Sequence, residues 1–209
     1  ALQRYYANDT ENATIFALER GTDLAVTNGG TGNFYGIYDP NYLKPSASQV
    51  GFMWRTMYQI IGKANEIIAA AEDLEDTPSL RATVSEAKCF RAQSYFLLYR
   101  TFDRIWLNML PTTAENVNDP RDFHAASEKE VFELIYEDLE YAITNLDWVS
   151  DEAGRFTQAA ARHMKAKAAL WLKDWDTTLE QVEEIEKSGH FDLIALNEVF
   201  NAGDLNHKE

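Results

Sequence analysis

The stretch SLRATVSEAKCFRAQSYFLLYRTF, residues 79–102, decides the fold. Leu80, Val84, Ala87, Phe90, Arg91, Ser94, Tyr95, Leu98 and Phe102 recur in it at steps of three and four. That spacing marks one face of an α-helix, which turns once every 3.6 residues. Thr77 and Pro78 stand in front of it. Threonine caps well, and proline fits the first helical position, where its missing N–H is no loss. Small residues and aromatics share the face, so this helix expects other helices around it.

Neighbouring stretches supply them. Upstream, residues 48–74 carry Val50, Met53, Trp54, Met57, Tyr58, Ile61, Ala64, Ile67, Ile68 and Ala71 on one face. Gly62 weakens that helix and reads as a point of close packing. The link EDTP (residues 75–78) is short, which makes the two helices antiparallel neighbours. Downstream, residues 103–126 are irregular, with Pro111 and Pro120 as punctuation and Trp106 and Leu107 expected to tuck against the helices. Ser127 followed by Glu130 forms a capping box. The helix it starts carries Val131, Leu134, Ile135, Asp138, Leu139, Ala142, Ile143 and Leu146. Thr157 caps a helix over 158–174, whose alanines at 160, 161, 168 and 169 permit close contact. In the last helix Trp175, Leu179, Val182 and Ile185 are expected to face inward, and Gly189 is a natural residue past the end.

The pair of helices over 157–189 spans about 33 residues, close to the ~34-residue tetratricopeptide period. A further helix is expected over 5–26, interrupted by Gly21. The expected fold class is therefore all-α: degenerate tetratricopeptide-like helical hairpins with long irregular loops, as a single helical domain over residues 1–209.

Composition excludes several classes. The formal net charge of the 209 residues is -15, which argues against a nucleic-acid surface, since that needs clustered Lys and Arg. One cysteine, Cys89, allows no internal disulfide and no thiolate cluster; inside a helix it reads as a small buried apolar group. No run approaches the ~20 apolar residues of a membrane span. The four histidines form no transition-metal spacing, so no such metal and no cofactor is expected; calcium stays open, since loops 147–153 and 118–122 carry several carboxylates, though none with EF-hand spacing. There is no G-x-S-x-G elbow, and NGGTG at 28–32 lacks the Lys-Ser pair of a phosphate cradle. The acids are too many for any catalytic pair to stand out.

Aromatics are the positive signal. The loop 28–48 has glycines at 29, 30, 32 and 36 and carries Phe34, Tyr35, Tyr38 and Tyr42. It is longer than an ordinary connection. Such rings either plug a gap in the core or stand out to stack on the C–H face of a sugar. The same two readings hold for Trp54. Those five rings are the candidate glycan-binding residues.

Several segments together resemble one family. Trp54, Tyr58 and Lys63-Ala64-Asn65 resemble its W…Y…AN segment. Glu86 to Ala92 followed by Tyr95-Phe96-Leu97-Leu98 resembles EAxFxRAxxYFxL. The run 136–146, YEDLEYAITNL, resembles its I-x-x-D-L-x-x-A-x-x-x-L helix, and Gly154-Arg155-Phe156-Thr157 with Ala160-Ala161 resembles GRxTxxAA. Trp171 to Trp175 fits the following helix and turn, and Ser188-Gly189 through Leu193 its ending. This order resembles the SusD/RagB family of outer-membrane nutrient-binding lipoproteins of Bacteroidetes. Two places depart: Phe102 is followed by Asp103 where the family usually has glycine, and Thr177-Thr178 replaces an alanine.

The resemblance implies a tetratricopeptide-like scaffold forming the N-terminal portion of a longer, lipid-anchored, surface-exposed protein of the outer membrane. It implies no catalysis, a polysaccharide or oligosaccharide ligand, and a TonB-dependent, SusC-like transporter as partner. The family's lipid-bearing cysteine is not in this chain, and Cys89 is not it. Two readings compete with glycan capture: a tetratricopeptide-like scaffold that binds only protein, and a fragment of a glycan-processing enzyme.

Overall fold

The computed structural model describes residues 48–120 and 123–193, and every regular element among them is a helix. Helix α1 spans Ser48–Ala71, α2 Pro78–Phe102, α3 Glu128–Asn145, α4 Gln158–Leu172 and α5 Trp175–Lys187. The helix expected over 5–26 and the loop 28–47 lie outside the described residues.

Local chemistry sets the ends. Thr77 caps α2 by accepting from the Leu80 N–H, with Pro78 at the first position. Ser127 and Glu130 form both halves of the capping box of α3. Thr157 caps α4 through the Ala160 N–H, and Asp174 caps α5 through that of Thr177. Helix α4 stops two residues earlier than expected, at Leu172. Lys173 turns left-handed there (φ 60), and its N–H reaches the carbonyls of Ala169 and Leu170. At the end of α2, Asp103 has φ 62 at the position where the resembled family has glycine. Its N–H still closes on the Tyr99 carbonyl at 3.0 Å. With ψ -51 the residue lies outside the left-handed helical region, in a tight turn that the Arg104 N–H closes on the Phe102 carbonyl at 2.6 Å.

The helices run up and down in chain order. Trp54, early in α1, meets Phe102 at the end of α2, and Asn65, late in α1, meets Arg91 in mid-α2. Phe96 and Tyr99 of α2 meet Phe132 at the start of α3, and Arg162 of α4 meets Gln181 of α5. Helix α2 lies in the middle, packed on α1 and α3 and touching α4. It buries more than the one stripe its periodicity showed: Ser85, Cys89 and Ala92 are buried as well. The core gathers Met57 and Ile61 from α1, Tyr95 and Leu98 from α2, Ile105, and Val131, Ile135 and Leu139 from α3. Each fully buried aliphatic side chain contributes about 1.5–3 kcal/mol.

Two expectations fail. Trp175, Leu179 and Val182 do not face inward; they are 57%, 58% and 50% exposed. Helix α5 packs on α4, and its buried residue is Gln181, whose side chain accepts from the Arg162 guanidinium at 2.9 Å. An amphipathic face is buried only where a neighbour covers it, and no described element does. Gly62 marks no close packing either among the described residues, since a Cβ there would meet none of them within 4 Å. Glycine in mid-helix then only costs backbone entropy. Gly62→Ala is expected to stabilise the chain by about 0.5–1 kcal/mol, seen as a higher melting temperature. A fall would show that a neighbour does press on that point.

Candidate functional site

Six buried or half-buried polar side chains join α1, α2, α3 and the segment 103–110. Asp138 of α3 is fully buried. Its Oδ2 accepts from Arg91 Nε at 2.7 Å, and its Oδ1 accepts from Arg91 Nη2 and Lys88 Nζ, both at 2.8 Å. The third edge of the Arg91 guanidinium donates to Asn65 Oδ1 at 2.9 Å, and Asn65 Nδ2 donates to the Asn108 carbonyl at 2.7 Å. Forked pairing of this kind uses the planar geometry of Arg and holds the helices in one register.

Two tyrosines then fasten the segment after α2. The Tyr95 hydroxyl donates to the Asn108 carbonyl and accepts from the Asn108 N–H, both at 2.8 Å. The Tyr58 hydroxyl does the same two residues earlier, donating to the Trp106 carbonyl at 2.7 Å and accepting its N–H at 2.9 Å. Burial pushes both phenols upward in pKa, against the backbone hydrogen bonds that oppose it. Neither is an acid for chemistry near neutral pH. A backbone N–H from Ala126 to the Ile105 carbonyl, at 2.8 Å, brings the next segment alongside.

This fixed segment aligns a run of rings. Trp54 lies 4.9 Å from Tyr58 and 5.1 Å from Phe102, centroid to centroid. Tyr58 stacks on Trp106 at 6.3 Å, and Trp106 meets Phe123 at 4.8 Å. The run starts against the core at half-buried Trp54 and ends at Phe123, which is 70% exposed. Exposed ring surface at the Phe123 end, held by this hydrogen-bond network, suits stacking on a ligand ring.

Of the rings singled out in the sequence, Trp54 belongs to this run, where packing on Tyr58 and Phe102 occupies it. Phe34, Tyr35, Tyr38 and Tyr42 lie outside the described residues. Sequence reasoning missed Trp106 and Phe123 as a surface. The available signal was a lone phenylalanine in the polar run DPRDFH, residues 119–124.

Catalytic chemistry finds little footing among the described residues. Cys89 is fully buried, and its thiol is pushed up to about 12 by burial and by Asp138 and Glu86 nearby. The hydroxyls of Ser85 and Ser94 donate to carbonyls of their own helix. Among the described residues, no three His, Cys, Asp or Glu side chains converge where a metal ion could sit. A polar cleft of about 880 Å³ opens between the start of α2 and the α3–α4 connection. Two of its carboxylates, Glu86 and Glu152, are bound to Arg155 at 2.6 and 2.9 Å. No described helix is long and apolar enough to cross a membrane.

Residues 6–170 match the model of the SusD-like family described as starch-binding and associating with the outer membrane. A SusD-like protein of Bacteroides ovatus is 30% identical over 161 residues, which cover 70% of this chain and 28% of that protein. SusD-like protein P2 of Formosa agariphila is 31% identical over 169 residues, 75% of this chain and 31% of its own length. The chain thus spans less than a third of these curated relatives. Among solved structures, a SusD superfamily protein from Bacteroides vulgatus superposes with a TM-score of 0.82 at 18% identity, over 100% of this chain and 45% of that one. A laminarin-binding SusD-like protein superposes with a TM-score of 0.79 at 24% identity, over 92% and 43%.

Proposed function

Because the chain belongs to the SusD-like family, we propose that it is the helical part of a non-catalytic glycan-capture protein. It binds a polysaccharide or oligosaccharide at the surface of the outer membrane, where the whole protein is lipid-anchored. It then passes the ligand to a TonB-dependent, SusC-like transporter. The observation that carries this reading is the family match over residues 6–170. Relatives of the same fold include a laminarin-binding SusD-like protein, one solved with a xylogluco-oligosaccharide, and a surface glycan-binding protein of Bacteroides fluxus.

Within the described residues the sugar platform is the Trp106–Phe123 end of the aromatic run. Phe34, Tyr35, Tyr38 and Tyr42 join it as candidates from the sequence. The test is calorimetric titration against soluble polysaccharides, laminarin and xyloglucan among them. Phe123→Ala is expected to weaken binding about tenfold, or about 1.4 kcal/mol. Its melting temperature should hold, because the ring is exposed. Tyr35→Ala and Tyr38→Ala test the loop in the same way. No saturable binding to any polysaccharide, by a chain shown folded by circular dichroism, would refute a platform in this part of the protein.

The second reading, a protein-binding helical scaffold, draws support from the uncovered face of α4 and α5. Leu170, Trp171, Trp175, Leu179 and Val182 are all about half exposed or more. An apolar patch of that kind marks a surface made to be covered.

A further inference from the structure

A second cavity, of about 200 Å³, lies between α2, α3 and α4, away from the aromatic run. Its floor is apolar, with Leu97, Ile135, Leu139 and Met164. Its rim is cationic and polar, with Arg100 and Gln93 from α2 and His163 and Lys167 from α4. None of its lining residues is Asp or Glu, in a chain with 34 acids against 19 Lys and Arg.

Arg100 is held in place. Its guanidinium lies 5.1 Å from the centroid of Phe96 and 5.4 Å from that of Trp171. The two rings meet edge to face at 6.4 Å. A guanidinium held beside two rings still carries five N–H donors in a planar fork that suits a carboxylate. Trp171 is 47% exposed and presents further ring surface beside the cavity. Partial burial and the charge of Lys167 hold His163 below the usual imidazole range, so at neutral pH its ring can both donate and accept.

We propose that this cavity is a subsite for a carboxylate-bearing sugar ring, such as a uronate. The proposal rests on the glycan-binding reading and names a ligand class for it. Size fits, since a cavity of about 150 Å³ already takes a benzene-sized ring. Arg100 and Lys167 take the carboxylate, Gln93 and His163 the hydroxyls, and Phe96, Leu97 and Met164 the C–H face. A neutral sugar would leave both cations without a counter-charge. An aliphatic side chain of a peptide would cover Arg100, His163 and Lys167 without pairing them, which costs free energy. The local field matters the more because the whole chain repels anions.

The test is titration of the chain with trigalacturonate, its trimethyl ester, maltotriose, and an acetylated Leu-Glu-Glu-Leu amide. Saturable binding of trigalacturonate is expected, at least tenfold tighter than that of the ester, and weakening as salt rises. The double variant Arg100→Gln, Lys167→Gln should lose at least tenfold in that affinity with an unchanged melting temperature, and Phe123→Ala should not. Equal affinity for acid and ester, or an unaffected double variant, overturns the proposal. So does tighter binding of the peptide, which would give the groove to a polypeptide. Binding of neutral polysaccharides with silence toward trigalacturonate removes this subsite and leaves glycan capture standing. Silence toward both removes both.

Discussion

Asp138→Ala is expected to lower the melting temperature by about 10 °C, the equivalent of about 3–5 kcal/mol in a chain of this size. The carboxylate is fully buried and takes three hydrogen bonds from Arg91 and Lys88. The side chains of those cations are only 5% and 12% exposed. Without Asp138 two positive charges face each other in the interior with no anion. The cost is that of a stranded charge, and it exceeds what the ion pair contributes over an apolar replacement. Replacing the pair together, Asp138→Leu with Arg91→Met, should therefore recover a good part of the loss. It will not recover all of it, because Lys88 then still lacks its anion and Asn65 loses the Arg91 donor at its Oδ1. Thermal melts of the three proteins decide the matter. A loss below about 1 kcal/mol in Asp138→Ala would mean that water reaches the cations and that packing alone holds these helices.

Tyr95→Phe is the second large effect, expected at about 2–3 kcal/mol. The change keeps the ring in the core and removes only the hydroxyl. That hydroxyl is the acceptor for the Asn108 N–H and one of two donors to the Asn108 carbonyl, the other being Asn65. The carbonyl keeps a partner, and the buried N–H keeps none. Tyr58→Phe makes the same deletion at Trp106, where the hydrogen bonds are only partly buried. Water can take over there, so its loss should be less than about 1 kcal/mol. The contrast between the two variants is the test. Equal losses would mean that both hydroxyls are equally dry. Tyr95→Phe should also loosen the segment that carries Trp106. Its tryptophan fluorescence and its affinity for glycan should then change together.

Both experiments act on residues that carry the family resemblance. Tyr58 and Asn65 come from its first segment, Arg91 and Tyr95 from the second, and Asp138 from the third. In the structure they form one connected set. The sequence showed them as separate patterns, because Asn65 and Arg91 are 26 residues apart and Arg91 and Asp138 are 47 apart. Glu86 reaches Arg155 across 69 residues, tying the second segment to the GRFT turn.

What the sequence determined by itself was local. Helical periodicity, the caps at Thr77, Ser127 and Thr157 and the glycine past α5 all rest on contacts within a turn or two, so they can be read along the chain. The buried face of α3 was legible down to Asp138, because a helix flanked by two neighbours buries the stripe its pattern shows. The same reasoning failed at α5. Its stripe of Trp175, Leu179 and Val182 is as regular, but periodicity says which residues share a face and not what lies opposite. Only the tertiary structure decided that no described element covers this face and that Gly62 touches nothing among the described residues. It alone brought Trp106 and Phe123 onto the ring run of Trp54, and Arg100 and Lys167 to one pocket. Those facts depend on where distant segments meet, and no local spacing encodes that.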